Sequence, residues 1–282
     1  MYNKQMTIKE RLNLLSFKKS DSILSASIVL ALTFAISAIL GYLRSRFLYA
    51  AFFKCCVLDL DAYNAAFRIP DLIFKLLVTG ALSASFIPVF TSHLHRDEKE
   101  AYKMASTVIN LLLIVFIAAS LIVLVFARPL AGIIASGFTP SQLDLMANLT
   151  RLLLIAQIFF LVSNFLTGIL QVHQIFLIPA LSPILYNIFI IASIFLLAPI
   201  FGIYGPTYGA IVGAFFHLFI QLPSIKKVGF KYSVFLDTNM KGVKEVIRLM
   251  IPRTLSLGLD EIENTVTLFF ASSLAAGSLS LL

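Results

Sequence analysis

Residues 152–225 read LLLIAQIFFLVSNFLTGILQVHQIFLIPALSPILYNIFIIASIFLLAPIFGIYGPTYGAIVGAFFHLFIQLPSI and contain no Asp, Glu, Lys or Arg. A helix crosses the hydrocarbon core of a bilayer, roughly 30 Å thick, with about 20 apolar residues. The stretch is too long for two such helices and fits three, with breaks expected at the polar cluster Gln171–Gln174 and at Pro199–Pro206. It therefore predicts three consecutive transmembrane helices in a polytopic, all-α membrane protein.

The composition of the whole chain agrees with this prediction. Hydrophobic residues make up 59% of the 282 positions and charged residues 13%, and the mean hydropathy is +0.95. A soluble domain has about 45–50% apolar and about 25% charged residues. A core surrounded by water could not hide so much apolar surface, so the solvent must be lipid.

Further apolar runs lie on both sides of the central stretch. Ile23–Leu43 is free of charge, and its helix is expected to continue toward Ala51; Met104–Ala127 is a second charge-free run. Two more spans carry charges, one at about Ala62–Thr91 and one from about residue 246 to 274. The chain thus has about seven to eight predicted transmembrane helices.

The basic residues set the expected orientation and the segment boundaries. Lys and Arg exceed Asp and Glu by 22 to 14, but they lie in short segments between apolar runs, which indicates the positive-inside pattern rather than a nucleic-acid surface. The basic connections are those on the side of the N-terminus, which we expect to be cytoplasmic. The predicted segments are a cytoplasmic stretch 1–22, helices one to six in 23–225, a basic cytoplasmic loop 226–245, and helix seven with the start of an eighth in 246–282.

Ionisable side chains within the second span suggest a functional interior. An ionisable group at the bilayer centre costs about 2.5–3.5 kcal/mol on insertion scales, so it persists where it meets water, a partner or a polar substrate. Arg68, Asp71 and Lys75 share one helix face, next to the helix-breaking Pro70. They predict either the wall of a water-filled cavity or an internally satisfied ion-pair network.

Two arginines end the first span. Arg44 and Arg46 point about 200° apart on a helix, so we expect one to face the interior and the other to extend to the interface. The spacing does not say which.

The seventh span carries acids. Asp260 and Glu261 are candidate ligands for a monovalent cation or members of a proton relay; alternatively, this part of the helix is wet. No arrangement of nucleophile, base or paired acids stands out, so the sequence favours a transporter over an enzyme and predicts no cofactor or metal site. Gly205, Gly209 and Gly213, four residues apart, predict close helix packing.

Five stretches of the chain resemble one family, the MurJ/MviN flippases. They are LGYLRSRFL (40–48), LDAYNAAFRIPDLIFKLLVTGALSASFIPVF (60–90), FLIPALSPILYNIFII (176–191), GIYGPTYGAIVGAFFHLFIQLPSIKKVGFKY (202–232) and MIPRTLSLGLDEIENTVTLFFASSLAAGSLS (250–280). The resemblance implies the N-terminal helical lobe of the multidrug/oligosaccharidyl-lipid/polysaccharide (MOP) exporter superfamily, in which MATE proteins also lie. It further implies a multi-pass protein of the bacterial cytoplasmic membrane that moves the peptidoglycan precursor lipid II by alternating access, with a cationic central cavity.

The resemblance also implies roles for particular residues. Arg44 matches an arginine of the family, Asp61 matches its acid at the start of the second helix, and Lys75 aligns with one of its paired arginines. With Arg46, Arg68 and Asp71, they form the predicted binding set for the undecaprenyl-diphosphate-linked disaccharide-peptide. Transport is expected to be driven by the membrane potential or by a monovalent ion. At some positions this chain departs from the residue that is usual in the family; these are Ala38, Ser45, Asp71, Phe74 and Thr79.

The resemblance implies about fourteen helices, so we expect this chain to lack a C-terminal lobe and to need that lobe, or a second copy, for a full cavity. Two rival functions stay open. One is another exporter of the superfamily, for a different lipid-linked oligosaccharide or for drugs. The other is a membrane scaffold that transports nothing.

Overall fold

The computed structural model describes residues 23–80, 82–274 and 277, and the regular elements in these ranges are all helices. Two segments within the predicted second span are π-helical, Lys75–Thr79 and Leu82–Phe86. The α-helices are α1 Ile23–Phe52, α2 Val57–Ala66, α3 Arg68–Phe74, α4 Ile87–Leu94, α5 Glu98–Ile134, α6 Pro140–Val172, α7 Leu177–Leu196, α8 Ala198–Phe201, α9 Tyr204–Phe219, α10 Leu222–Lys227 and α11 Lys241–Ser272.

Five helical stretches in the described part of the chain are long and apolar enough to cross a membrane. They are Leu30–Phe52, Glu98–Ile134, Pro140–Val172, Leu177–Leu196 and Tyr204–Lys227. Large apolar side chains of these stretches point away from the protein interior, as the 72% exposure of Phe34 illustrates. Apolar residues on the outside of a helical bundle are solvated by lipid, so the chain is a multi-pass membrane protein.

The other two predicted spans depart from this simple pattern. The second is divided among α2, α3, the π-helical segments and α4, and the seventh, α11, carries many charges and starts at Lys241 rather than near residue 246. Segment 1–22 and the predicted start of an eighth helix lie outside the described residues, Gly277 excepted. The predicted breaks in the charge-free stretch are confirmed, because α6 ends at Val172 and α7 and α9 are separated around Gly202.

Side chains from neighbouring helices satisfy the backbone of the broken second span. Pro70 has no N–H for the carbonyl of Ala66, and the hydroxyl of Thr150 on α6 donates to that carbonyl at 3.1 Å. In the first π-helical segment the N–H of Gly80 donates to the carbonyl of Lys75, and the hydroxyl of Thr254 of α11 donates to the carbonyl of Leu76 at 3.0 Å. A non-helical backbone in a membrane needs such partners.

Small residues allow α7 and α9 to pack closely. A Cβ atom added to Gly209 would overlap the hydroxyl oxygen of Ser193, and one added to Gly213 would lie 2.9 Å from the ring of Tyr186. Both neighbours belong to α7. The packing role predicted for this glycine series is therefore confirmed at these two positions.

The long α6 occupies the middle of the bundle and contributes to two apolar clusters. One cluster, around Phe86, Phe116 and Phe165, joins α6 to α5, the second π-helical segment and α11. The other, around Leu60 and Leu149, joins it to α1, α2, α7 and α9. Between α6 and the α1, α2 and α7 helices the packing leaves an open space.

Candidate functional site

A polar cavity of about 380 Å³ lies among α1, α2, α3, α6 and α7. Arg44 and Asp71 are the charged side chains among its described lining residues. The full lining is Arg44, Ser45, Leu48, Tyr49, Tyr63, Asn64, Phe67, Asp71, Leu153, Ala156, Gln157, Phe160 and Tyr186. Three tyrosines, an asparagine and a glutamine provide many hydrogen-bonding groups, so the cavity suits a polar ligand.

Arg44 faces this cavity, and Arg46 does not. The guanidinium carbon of Arg44 lies 5.9 Å from the centre of the Tyr186 ring, within reach of a cation–π interaction. Arg46 is exposed on the outside of α1. The structure thereby answers the question that the helical spacing left open. Helix α1 ends at Phe52, so it continues past both arginines as expected.

Asp71 is held by an amide of α6. The Nε2 of Gln157 donates to its Oδ1 at 2.6 Å. This hydrogen bond fixes the carboxylate on the cavity wall and links α3 to the central helix. Asp71 and Arg44 carry opposite charges, so the described lining of the cavity has no net charge.

Lys75 is paired with Glu261 of α11. Its ammonium nitrogen lies 2.6 Å from Oε1 of Glu261, and the two side chains are 42% and 7% exposed. The sequence left two interpretations open for the charged face of the second span. Asp71 lies on a cavity wall, as the first interpretation predicts, and Lys75 belongs to an ion pair, as the second predicts. Glu261, a candidate ligand for a cation, and Lys75, a candidate ligand for phosphate, therefore bind each other.

The remaining predicted site residues lie away from the described cavity lining. Asp61 is buried, and one of its carboxylate oxygens accepts a hydrogen bond from the N–H of Gly277 at 2.7 Å. Arg68 is half-buried and is not among the described lining residues. The side chain of Asp260 lies outside the described part of the structure.

The sequence analysis missed the neutral polar residues of the site. Gln157 and Tyr186 lie within the stretch without charged residues, where only apolar periodicity was considered. Tyr63 and Asn64 stand in the second quoted stretch but carry no charge. A search for amide and phenol groups within apolar helices would have marked all four, because a buried polar group in lipid needs a partner.

Helices of this order and packing define a transporter fold of the MOP superfamily. A MOP superfamily transporter from Pyrococcus furiosus superposes with a TM-score of 0.62 at 17% identity, covering 88% of this chain and 54% of that one. A solved structure described as lipid II flippase MurJ in an inward closed conformation superposes with a TM-score of 0.73 at 25% identity, covering 90% of this chain and 52% of that one.

Sequence comparison identifies the family to which the chain belongs. The family model described as lipid II flippase MurJ matches residues 49–282. A probable lipid II flippase MurJ of Borreliella burgdorferi is 27% identical over 260 residues, and one of Buchnera aphidicola subsp. Schizaphis graminum is 30% identical over 266; each match covers 92% of this chain and 51% of the relative. The chain belongs to the MurJ family, which confirms the resemblance to the MurJ/MviN flippases.

This chain spans about half the length of the curated relatives it matches. The pairwise matches cover 92% of this chain and so take in the cavity lining, whereas the family match begins at residue 49, after Arg44, Ser45 and Leu48.

Proposed function

We propose that this chain forms a substrate-holding lobe of a lipid II flippase. The observation that carries the proposal is Arg44, a guanidinium on a transmembrane helix that faces a polar cavity instead of lipid. Membership of the MurJ family supports the choice of substrate. We place the protein in the bacterial cytoplasmic membrane with its N-terminus in the cytoplasm.

The chemistry of the cavity suits a diphosphate-linked sugar. Phosphate is strongly solvated in water, and its transfer into a membrane requires compensating charge. The planar fork of Arg44 can bind phosphate oxygens through two parallel hydrogen bonds. Tyr63, Asn64 and Gln157 can exchange hydrogen bonds with sugar hydroxyls, and the polyprenyl chain would stay in lipid beside the bundle.

A cationic cavity would need more positive charge than Arg44 supplies. We propose that Lys75 exchanges Glu261 for the headgroup when substrate enters, which would add a second cation beside Asp71. Arg68, one turn before Asp71, adds to the local positive potential. In this scheme Glu261 is released at the same step and can take a monovalent cation or a proton.

The exchange at Glu261 offers a route to alternating access. The Lys75–Glu261 pair joins the second span to α11, so its opening would loosen the contact between two helical groups. We propose that a second lobe, from further polypeptide or from a second copy, closes the other side of the cavity. The membrane potential or the bound cation would then favour one orientation.

Binding of lipid II tests the proposal. The purified chain is placed in nanodiscs and titrated with fluorescent lipid II, with Arg44→Ala as the test variant and Arg46→Ala as the matched control on the same helix. We expect Arg44→Ala to weaken binding by roughly 10-fold or more, because a charge-assisted bidentate contact is lost, and Arg46→Ala to bind as the unmodified chain does. Equal binding by Arg44→Ala would refute the assigned role of the cavity.

A further inference from the structure

An irregular segment, residues 229–236, lies along one side of α5. The hydroxyl of Tyr102 donates to the carbonyl of Val228 at 2.8 Å, just before the segment begins. Farther along, the side-chain amide of Asn110 donates to the carbonyls of Ser233 and Phe235 at 2.9 and 3.0 Å. The N–H of Ser233 donates to the hydroxyl of Ser106 at 3.2 Å.

These hydrogen bonds fix the segment at the edge of the membrane. Tyr102, Ser106 and Asn110 are four residues apart and so lie on one face of α5. They extend over about 12 Å of helix at 1.5 Å per residue. The 229–236 segment therefore runs along the polar end of α5 as far as Asn110, the residue before the apolar run that begins at Leu111. Backbone groups outside a helix can lie there because side chains of α5 satisfy them.

The outer side of the segment is apolar. Val234 is 85% exposed, and Phe235 and Leu236 are 51% and 46% exposed. Their backbone is held against α5, so these side chains cannot retreat into the protein by a small shift of the chain. Three adjacent apolar side chains presented at the edge of the membrane are suited to contact acyl chains.

The polar end of the segment borders a basic cavity of about 580 Å³. Lys99 and Lys103, one helical turn apart at the start of α5, line it together with Lys231. Glu98 also borders the cavity, and its Oε1 lies 2.9 Å from the hydroxyl oxygen of Tyr102, whose single proton is shared between Glu98 and the carbonyl of Val228. The cavity thus holds three cations and one carboxylate, which favours an anionic ligand.

An unused hydroxyl points to a ligand at the same place. The Oγ of Ser233 is buried and has no hydrogen-bond partner among the described residues, although Ser233 lines the basic cavity. A buried polar atom is normally satisfied, so an orphaned hydroxyl next to three lysines indicates an acceptor that the protein itself does not supply. A phosphate oxygen would be such an acceptor.

We propose that this is a binding site for one anionic phospholipid of the surrounding membrane leaflet. The phosphate lies among Lys99, Lys103 and Lys231 and accepts a hydrogen bond from Ser233, while an acyl chain lies along Val234 and Phe235. A soluble phosphate would make no use of the apolar side chains. The site is formed by α5 and the segment after α10, so it is separate from the Arg44 cavity and does not depend on the proposed cargo.

Native mass spectrometry of the purified chain measures this binding directly. The chain in detergent is mixed with phosphatidylglycerol or with phosphatidylcholine of the same acyl composition. We expect one phosphatidylglycerol per chain to be retained at least 10-fold more than phosphatidylcholine. The triple variant Lys99→Ala/Lys103→Ala/Lys231→Ala should lose that preference. Equal retention of the two lipids by the unmodified chain would overturn the proposal.

Two further comparisons distinguish a specific lipid-binding site from non-specific electrostatic attraction. The matched triple variant Lys226→Ala/Lys241→Ala/Lys244→Ala removes three exposed lysines from outside the cavity, and we expect it to keep the preference. Equal loss in both triple variants would overturn the proposal in favour of diffuse attraction. Because the triple variants could fold poorly, the single change Ser233→Ala is also measured, and we expect several-fold weaker retention; unchanged retention would count against the site.

A further variant tests whether the bound phosphate belongs to a phospholipid or to a soluble molecule. Val234→Ser/Phe235→Ser should lower phosphatidylglycerol retention severalfold, because the acyl contact is lost. Competition by glycerol 3-phosphate should be weak in every variant. Strong competition by glycerol 3-phosphate, with no effect of Val234→Ser/Phe235→Ser, would overturn the lipid assignment and indicate a site for a soluble phosphate.

Discussion

At the scale of single residues, the pairing of Lys75 with Glu261 is the feature that joins distant parts of the chain. The two residues are 186 positions apart, and their side chains differ in exposure, 42% for Lys75 and 7% for Glu261. A buried carboxylate without a partner is costly, whereas a half-exposed ammonium can be solvated. The two halves of this pair should therefore contribute unequally to stability.

Single removals of these partners test that asymmetry. We expect Lys75→Met to lower the free energy of unfolding by roughly 1–3 kcal/mol, because Glu261 stays buried and unpaired. Glu261→Gln should cost less than about 1 kcal/mol, since it removes the buried charge itself. Thermal unfolding in detergent measures both. Arg128→Met, which breaks the exposed Arg128–Asp144 pair, is the control; a loss for Lys75→Met no larger than for this control would contradict the argument.

Helical spacing predicted which residues of the second span share a face but could not predict their partners. It placed Arg68, Asp71 and Lys75 together, yet the π-helical turn begins at Lys75 and Glu261 comes from a helix far along the sequence. Spacing also separated Arg44 from Arg46 without choosing between them. That choice depends on where α7 places Tyr186, which is a matter of tertiary packing.

At the scale of helices, hydropathy predicted well those that are apolar throughout. The five stretches that are long and apolar enough to cross a membrane overlap the charge-free runs, although their ends differ by as much as the twelve residues between Pro140 and Leu152. The second span differs because Pro70 and the π-helical segments divide it, and its stability rests on hydroxyl groups of Thr150 and Thr254. Apolar periodicity contains no information about such donors.

The close packing of α7 and α9 leads to a prediction about glycine. Alanine is favoured over glycine within a helix by about 1 kcal/mol, so Gly132→Ala, with nothing within 4 Å of its new Cβ, should stabilise the protein slightly. Gly209→Ala should destabilise it by about 1–3 kcal/mol, because the new Cβ overlaps Ser193 and packed helices resist separation. Unfolding midpoints of the two variants are compared. Shifts of the same sign would contradict the packing argument.

At the scale of the whole molecule, hydrogen bonds between connections define two ends of the bundle. At one end, the hydroxyl of Tyr102 contacts His173 and Val228, close to the lysines at 99, 103, 226 and 231. At the other end, the amide of Gln142 donates to the carbonyl of Leu58, and the N–H of Gly137 donates to the hydroxyl oxygen of Ser272. The first end is the more basic one, which supports a cytoplasmic location for it.

The two cysteines allow this orientation to be tested. Cys55 is exposed in the connection between α1 and α2, at the less basic end. Its neighbour Cys56 hydrogen-bonds to it, which raises the pKa of the Cys56 thiol to about 11, so Cys56 is mostly protonated near pH 7.5 and should react slowly with maleimide. Cys56→Ser leaves Cys55 as the single thiol of the chain.

We expect a membrane-impermeant maleimide to label Cys55 of the Cys56→Ser variant in intact spheroplasts. The control variant Cys55→Ser/Cys56→Ser/Asn239→Cys carries its single thiol on an exposed residue of the connection between α10 and α11, which belongs to the basic end. It should be labelled only after the membrane is permeabilised. Positive side chains are retained on the cytoplasmic side, so the two thiols must lie on opposite sides if the bundle is oriented as we propose. The reverse labelling pattern would show that the bundle has the opposite orientation, with the phospholipid site in the outer leaflet.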